Sequence, residues 1–371
     1  MKLFTCSNCG NSVHFDNRTC VNCGSRLGFE TESLSMKALA PAGGDQWTVI
    51  GKTDTAVRFC ANAMNDICNW LVPAASQNTY CVACSYNHIV PVTDNTEGVQ
   101  RWQKISQAQR HLFYSILRWN LPRPGRDADP QGGLVFDFLA DEVDANGNVI
   151  QAAMTGHEDG LISLRAAEAD DATRESIRVS MGEPYRTLLG HFRHEIGHFY
   201  FAQLCRDEET LAEARALFGD EREDYAAALQ RNYEQGPPAD WQNRFISTYA
   251  SCHPSEDFAE CWAHFFHIVD TLETARAFGL STDPRRHQEM AAEVDFDPYN
   301  AQDSQTLVDA WVPLSVALNS IQRSMGQTDS YPFVLSIPVV QKLEFLNRLI
   351  HKAGQGLLTM SQPPMQTPAA A

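Results

Sequence analysis

The spacing of apolar residues changes several times along the chain, and each change marks a predicted element. "RWQKISQAQRHLFYSILRWNLPRPGR", residues 101–126, reads as a helix with one basic face, ended by the Pro- and Gly-rich stretch at 121–133. "LVFDFLA" at 134–140 is an apolar run suited to a buried strand. An Asn-Gly turn signal in "DANGN" (144–148) returns the chain as "VIQAAM", and "GHEDG" (156–160) leads into "LISLRAAEA". Three short strands joined by tight turns predict a small, largely antiparallel sheet. The period then becomes helical: a helix after Asp170, a break at Gly182-Glu183-Pro184, and a long helix with Pro184 near its first turn. Beyond residue 205 the pattern predicts helices alone, over 207–236, 254–279, 304–325 and 338–354. The expected class is α+β: a cysteine-rich module at 1–95, a mainly helical domain with a small sheet at 96–354, and a disordered tail at 355–371.

At 371 residues, 43% hydrophobic and 20% charged, the chain has the composition of a soluble globular protein with a well-buried core. No stretch approaches the roughly 18–20 apolar residues of a membrane span. The start, "MKLFTCSNCG", shows no apolar signal segment, so the cytoplasm is the expected location. With 29 basic against 46 acidic residues the net charge is −17, which argues against nucleic-acid binding, because that affinity comes from neutralising phosphates. The basic 101–126 stretch is the local exception, and its expected use is packing against the acidic remainder.

The cysteines add chemistry. Of the 11, eight precede residue 85, and their spacing suits thiolate–metal binding in a reducing compartment better than a disulfide framework. "CSNCG" at Cys6–Cys9 and "CVNCG" at Cys20–Cys23 are two CxxC turns that together make a closed four-sulfur zinc site. Cys60, Cys68, Cys81 and Cys84 form a second set with one CxxC half and one wider half. With all four positions filled by sulfur, both sites are expected to be structural. Lys2, Arg18 and Arg26 against Asp16 and Glu30 make residues 1–30 a poor phosphate binder, so protein contact or internal packing is the expected role of the module.

The strongest catalytic signal is His194-Glu195-Ile196-Gly197-His198, an H-E-x-x-H motif. On a helix the two histidines lie one turn apart on one face, and Glu195 sits where it can take a proton from metal-bound water. A catalytic zinc needs a third protein ligand. "FYFAQLCRDE" after His198 offers no histidine at the spacing of H-E-x-x-H-x-x-G-x-x-H, so that class is excluded. "EDFAE" further on offers Glu256 and Glu260 at i and i+4. One can bind metal while the other hydrogen-bonds a liganding histidine. His264 and His267 on the same helix read as packing groups or as supports to the ligands, not as ligands themselves.

H-E-x-x-H followed by E-x-x-x-E on a later helix resembles the gluzincin branch of zinc metallopeptidases. That resemblance implies Glu256 as the third ligand and Glu260 as its support. It also implies an oxyanion-assisting role for Tyr249, with His253 as the competing candidate. More broadly, "FCANAMNDICNWLVP", "GEPYRTLLGHFRHEIGHFYF", "HPSEDFAECWAHFFHIVDTL" and "YPFVLSIPVVQKLEFL" are similar to bacterial zinc-binding metallopeptidases with an N-terminal zinc ribbon. The expectation is then a zincin-like domain behind the ribbon, with one catalytic and two structural zinc ions and a peptide or protein substrate. The strand "LISLRAAEA" is placed as the substrate-binding edge. The alternative from a different class is a zinc-stabilised interaction protein whose zincin domain is inactive or highly restricted.

Overall fold

The computed structural model describes residues 2–52, 56–146 and 148–360, with side chains through residue 356. The first ninety residues are built on short strands. β1 (Phe4–Thr5) and β2 (Ser12–Val13) form a hairpin, and β3 (Arg26–Glu30), β4 (Ser35–Gly43), β5 (Gln46–Val49), β6 (Ala56–Phe59) and β7 (Leu71–Pro73) form an antiparallel sheet in sequence order. Each CxxC turn closes through a glycine at positive φ, Gly10 at 76° and Gly24 at 71°, whose amides bond back to the Cys6 and Cys20 carbonyls. β8 (Asn87–Ile89) already belongs to a different sheet.

α1 (Thr96–Arg118) starts from Asn95, which accepts from the Gly98 amide, and joins the two halves of the molecule. Its Tyr114 ring packs on Phe15 and Phe29 of the cysteine-rich region, at centroid distances of 5.6 and 6.3 Å. One continuous core runs from Phe4 and Trp70 through Tyr114 to Phe192 and Trp262. The basic side chains of this helix are consumed internally: Arg101 pairs with Asp170, Lys104 with Asp171, Arg110 with Asp16, and Arg118 with Glu273 and Asp297.

β9 (Val135–Leu139) follows, then the small hairpin β10 (Glu142–Val143) and β11 (Val149–Gln151), then β12 (Gly156–Glu158) and β13 (Leu161–Arg165). The sheet beside the metal-motif helix has the order β12-β13-β9-β8. Strand pairing across the molecule is largely antiparallel, but in this sheet β8–β9 and β9–β13 are parallel. "VIQAAM" does not join it. The strand expected at the substrate edge, β13, is instead interior, paired to β9 on one side and β12 on the other. Its alternating buried side chains, Ile162 and Leu164, explain that position.

α2 (Asp171–Met181) ends at Gly182, and α3 (Leu188–Leu204) begins only after Thr187 caps it by accepting from the Gly190 amide at 2.9 Å. Pro184 therefore lies before the helix, not in its first turn. The acidic stretch 207–236 is two helices, α4 (Glu208–Phe218) and α5 (Tyr225–Gln235), broken at Gly219. α6 (Pro254–Phe278) crosses α3, and α7 (Ser304–Ser324) and α8 (Ile337–Met360) cover it. A hairpin of β14 (Ser281–Thr282) and β15 (Ala292–Glu293) interrupts the helices. Lys342 of α8 reaches Asp257 of α6 at 2.5 Å in the interior. α8 continues to Met360, so residues 355–360 are helical where a disordered tail was expected; residues 361–371 lie outside the described residues. Among the described residues no helix is long and apolar enough to cross a membrane.

Candidate metal centres and the cleft

Two sulfur clusters occupy the N-terminal region. The Sγ atoms of Cys6, Cys9, Cys20 and Cys23 lie within 4.8 Å of one another, with Cys6–Cys23 at 3.8 Å and Cys9–Cys20 at 3.6 Å. Cys60, Cys68, Cys81 and Cys84 are grouped within the same limit, with Cys68–Cys81 at 3.8 Å. Four sulfurs on a tetrahedral zinc with bonds of about 2.3 Å stand about 3.8 Å apart, so both donor sets fit that ion. The clusters differ in depth. Cys9 and Cys23 are exposed, whereas all four sulfurs of the second cluster are buried. Beside the second cluster lies the buried guanidinium of Arg110, which bonds to the Ile67 carbonyl and to Asp16.

A third cluster forms where α3 and α6 cross. A Cβ on Gly197 would stand 3.0 Å from Ala259 Cα and 3.2 Å from Trp262 Cβ, so glycine at this place in the motif allows the close crossing. The crossing sets Glu256 against both histidines. His194 Nε2 is 2.9 Å from Glu256 Oε2, His198 Nε2 is 3.3 Å from His194 Nε2, and His198 Nε2 is 3.6 Å from Glu256 Oε2. Ligands on a tetrahedral zinc with bonds of 2.0–2.1 Å are separated by about 3.3 Å. These three edges therefore outline one face of such a tetrahedron.

The surroundings prepare the donors. His194 Nδ1 is 2.8 Å from Glu260 Oε1, and Glu260 Oε2 accepts from the Ser247 hydroxyl at 2.6 Å. A carboxylate at Nδ1 keeps the proton there and leaves the Nε2 lone pair for a metal. Burial opposes charge at this point, yet Glu256 and Glu260 hold the His194 pKa well above the usual imidazole value. Burial likewise pushes Glu256 up, and its bonds to His194 and His198 overcome that and hold it well below the usual carboxylate range. The cluster is built to attract positive charge.

Three neighbours had no signal in the sequence. Tyr225, on the solvated helix α5, donates its hydroxyl to Glu256 Oε1 at 2.9 Å, and no spacing rule connects it to a residue 31 positions later. Ser247 lies in an irregular stretch. His157, on the edge strand β12, stacks on His198 with centroids 5.9 Å apart and planes at 18°.

Glu195, Tyr249 and Glu260 line a cleft of about 240 Å³ together with His194. The Tyr249 ring centroid is 5.8 Å from that of His194, and burial, reinforced by Glu256, raises its pKa so that the hydroxyl stays protonated. His253 is placed differently. It caps α6, with Nδ1 accepting from the Ser255 amide and Nε2 3.1 Å from the Glu223 carbonyl. Both ring nitrogens are engaged and it does not line the cleft, so the oxyanion role entertained for it does not fit. One cleft wall is fixed by Glu168, which meets His191 at 2.9 Å and Arg186 at 3.1 Å. Those partners outweigh the effect of burial and hold the Glu168 pKa down at about 2.

Comparison with known proteins agrees with this picture. Residues 98–349 match the family described as "Putative zinc-binding metallo-peptidase", and residues 3–95 match a zinc-ribbon domain. The chain belongs to that metallopeptidase family, in the form that carries an N-terminal zinc ribbon. Uncharacterized proteins of Mycobacterium tuberculosis and Mycobacterium bovis are 41% identical over 351 residues, which is 94% of this chain and 95% of each relative. No solved structure matches the chain.

Proposed function

We propose that the chain is a zinc-dependent peptidase of the gluzincin type, with one catalytic and two structural zinc ions. The observation that carries this reading is the triangle of His194 Nε2, His198 Nε2 and Glu256 Oε2, with edges of 2.9–3.6 Å, beside Glu195 in the cleft. His194, His198 and Glu256 would hold the ion, with Glu260 and Tyr225 orienting two of them. Zinc, when bound, supplies a Lewis acid for a water and for the scissile carbonyl.

The remaining work falls to side chains of the chain. Glu195 takes the proton of the attacking water and passes it to the leaving nitrogen. Tyr249, kept neutral by its burial, donates a hydrogen bond to the carbonyl oxygen as negative charge develops on it. An extended peptide or protein segment lies along β12, which takes over the edge role from β13.

The test is Glu195→Gln, assayed for zinc content and for hydrolysis of a peptide library. Three zinc ions should remain, while turnover falls by about 10²–10⁴-fold, the usual worth of a general base. Unchanged turnover removes Glu195 from the mechanism. A wild-type chain that holds three ions yet cuts no peptide would be the zinc-stabilised interaction protein instead.

A further inference from the structure

The cleft does not end at Glu195. It continues past Gly190 to His264 and His267, and behind these a second chamber of about 120 Å³ shares both histidines and Tyr185 with it. No Asp, Glu, Lys or Arg lines that chamber among the described residues, so its character is set by neutral polar groups.

Two donors stand out among them. Arg193 Nη1 lies 2.7 Å from His267 Nδ1. A guanidinium can only donate, so Nδ1 accepts and the His267 proton sits on Nε2. Among the described residues Nε2 carries no hydrogen bond, and it lies beside Gly190, where an added Cβ would stand 3.8 Å from it. Trp311, 4% exposed and lining the chamber, likewise has an indole N–H without a partner. Two of the acceptors nearby are taken: the Asn319 carboxamide is spent on the Tyr331 backbone, and His264 Nδ1 meets the Tyr331 hydroxyl at 2.9 Å. Two donors, the half-buried His267 Nε2 and the buried Trp311 indole, therefore lack an acceptor in a pocket entered from the reacting site, and a donor covered without a partner costs free energy.

Resting on the peptidase reading above, we infer that this pocket selects a substrate residue, next to the bond to be cut, whose side chain ends in a carbonyl or carboxyl oxygen. Glutamine and glutamate have the reach to pass Gly190 and present that oxygen to His267 Nε2. An aliphatic side chain would bury both donors unpaired, and a lysine would bring a third donor to them.

The experiment uses the zinc-loaded, full-length protein and peptide hydroxamates with Gln, Glu, Leu or Lys beside the hydroxamate, titrated calorimetrically so that no turnover is needed. Gln or Glu should bind at least about tenfold tighter than Leu, with Lys weakest, because a site built to hydrogen-bond discriminates against ligands that cannot. The carboxamide and the carboxylate are told apart by which of the two is held tighter. His267→Phe should bring the Gln compound down to the level of Leu, with Leu unchanged. Because that variant leaves Arg193 held by Asp270 alone, Gly190→Ala serves as the second: it keeps the Arg193–His267 bond and sets a methyl group 3.8 Å from Nε2, with Thr187 Oγ1 at 3.1 Å and Tyr185 Cε1 at 3.3 Å giving way slightly, and the same loss is expected.

Leu binding as tightly as Gln in the wild type, or a Gln advantage that survives both variants, overturns the inference. Failure of every hydroxamate to bind a protein that still holds three zinc ions is a different result. It removes the peptidase reading, and this pocket assignment with it.

Discussion

The cluster of Cys60, Cys68, Cys81 and Cys84 and the cluster of His194, His198 and Glu256 lie in one molecule and make opposite use of similar geometry. The first offers four donors, all buried, with Arg110 beside them as countercharge. The second offers three donors, of which His194 lines a cleft that also holds Glu195, with the carboxylate partner Glu260 at its Nδ1. A closed set of donors holds an ion and the fold around it, whereas an incomplete set leaves a position for water or substrate. On the proposed reading, the number of donors and their depth separate the two roles, more than the identity of the donor atoms does.

The largest effect is expected from Cys68→Ser. A structural zinc contributes about 10–16 kcal/mol in small zinc domains, against a total stability of about 5–15 kcal/mol for a typical domain. Because the ribbon and the helices share one core, the whole chain should fail to fold, read as loss of soluble protein and of far-ultraviolet dichroism. A soluble variant with an unchanged melting midpoint would erase the contrast between the two clusters.

Glu256→Ala comes next. Native mass spectrometry should show the zinc count falling from three to two, with both sulfur clusters still loaded and hydrolysis abolished. Three ions in the variant would mean that Glu256 is not the third ligand.

Acid pH separates the cleft wall from the rest. Glu168 has a folded pKa of about 2, below its ordinary 4.5, so its contribution is complete above pH 4.5 and lost as pH falls through 2. Glu168→Gln should therefore cost about 3 kcal/mol at pH 7, shrinking toward zero near pH 2, in denaturant melts at a series of pH values. A penalty that does not vary with pH would deny Glu168 its charged role beneath His191 and Arg186.

The smallest effect is expected from Tyr225→Phe. Losing the bond to Glu256 Oε1 should weaken zinc at the histidine centre by about 10–100-fold in a chelator competition, the usual range for a residue that supports a ligand. The sulfur clusters should be untouched.

Much of this was readable from residue spacing. CxxC pairs and H-E-x-x-H place their donors within one turn of chain, so local geometry alone brings them together. Glu256 and Glu260 were legible as a pair one helical turn apart, and the structure sets Glu256 against the Nε2 atoms of both histidines and Glu260 against His194 Nδ1. The remainder depends on contacts between distant elements. Tyr225 reaches Glu256 from a separate helix, His157 reaches His198 from the edge strand β12, and β13 is buried by a partner that follows from sheet order, not from its own sequence. His253 shows the opposite failure: it has the residue type and position of an oxyanion donor, but the demand of the α6 terminus for a cap claims it first.

The depth of the second sulfur cluster also bears on how fast an ion can leave. Its four cysteines are at most 3% exposed, so a chelator reaches an ion there only when the ribbon opens, at a free energy approaching that of global unfolding. The histidine centre meets the cleft through His194, so an ion held there would be expected to exchange with solution while the fold stays closed. Chelation should then act as a reversible switch, removing one slot's occupant within the folded lifetime of the protein and leaving the other kinetically trapped. Adding zinc back would restore that slot without any refolding step.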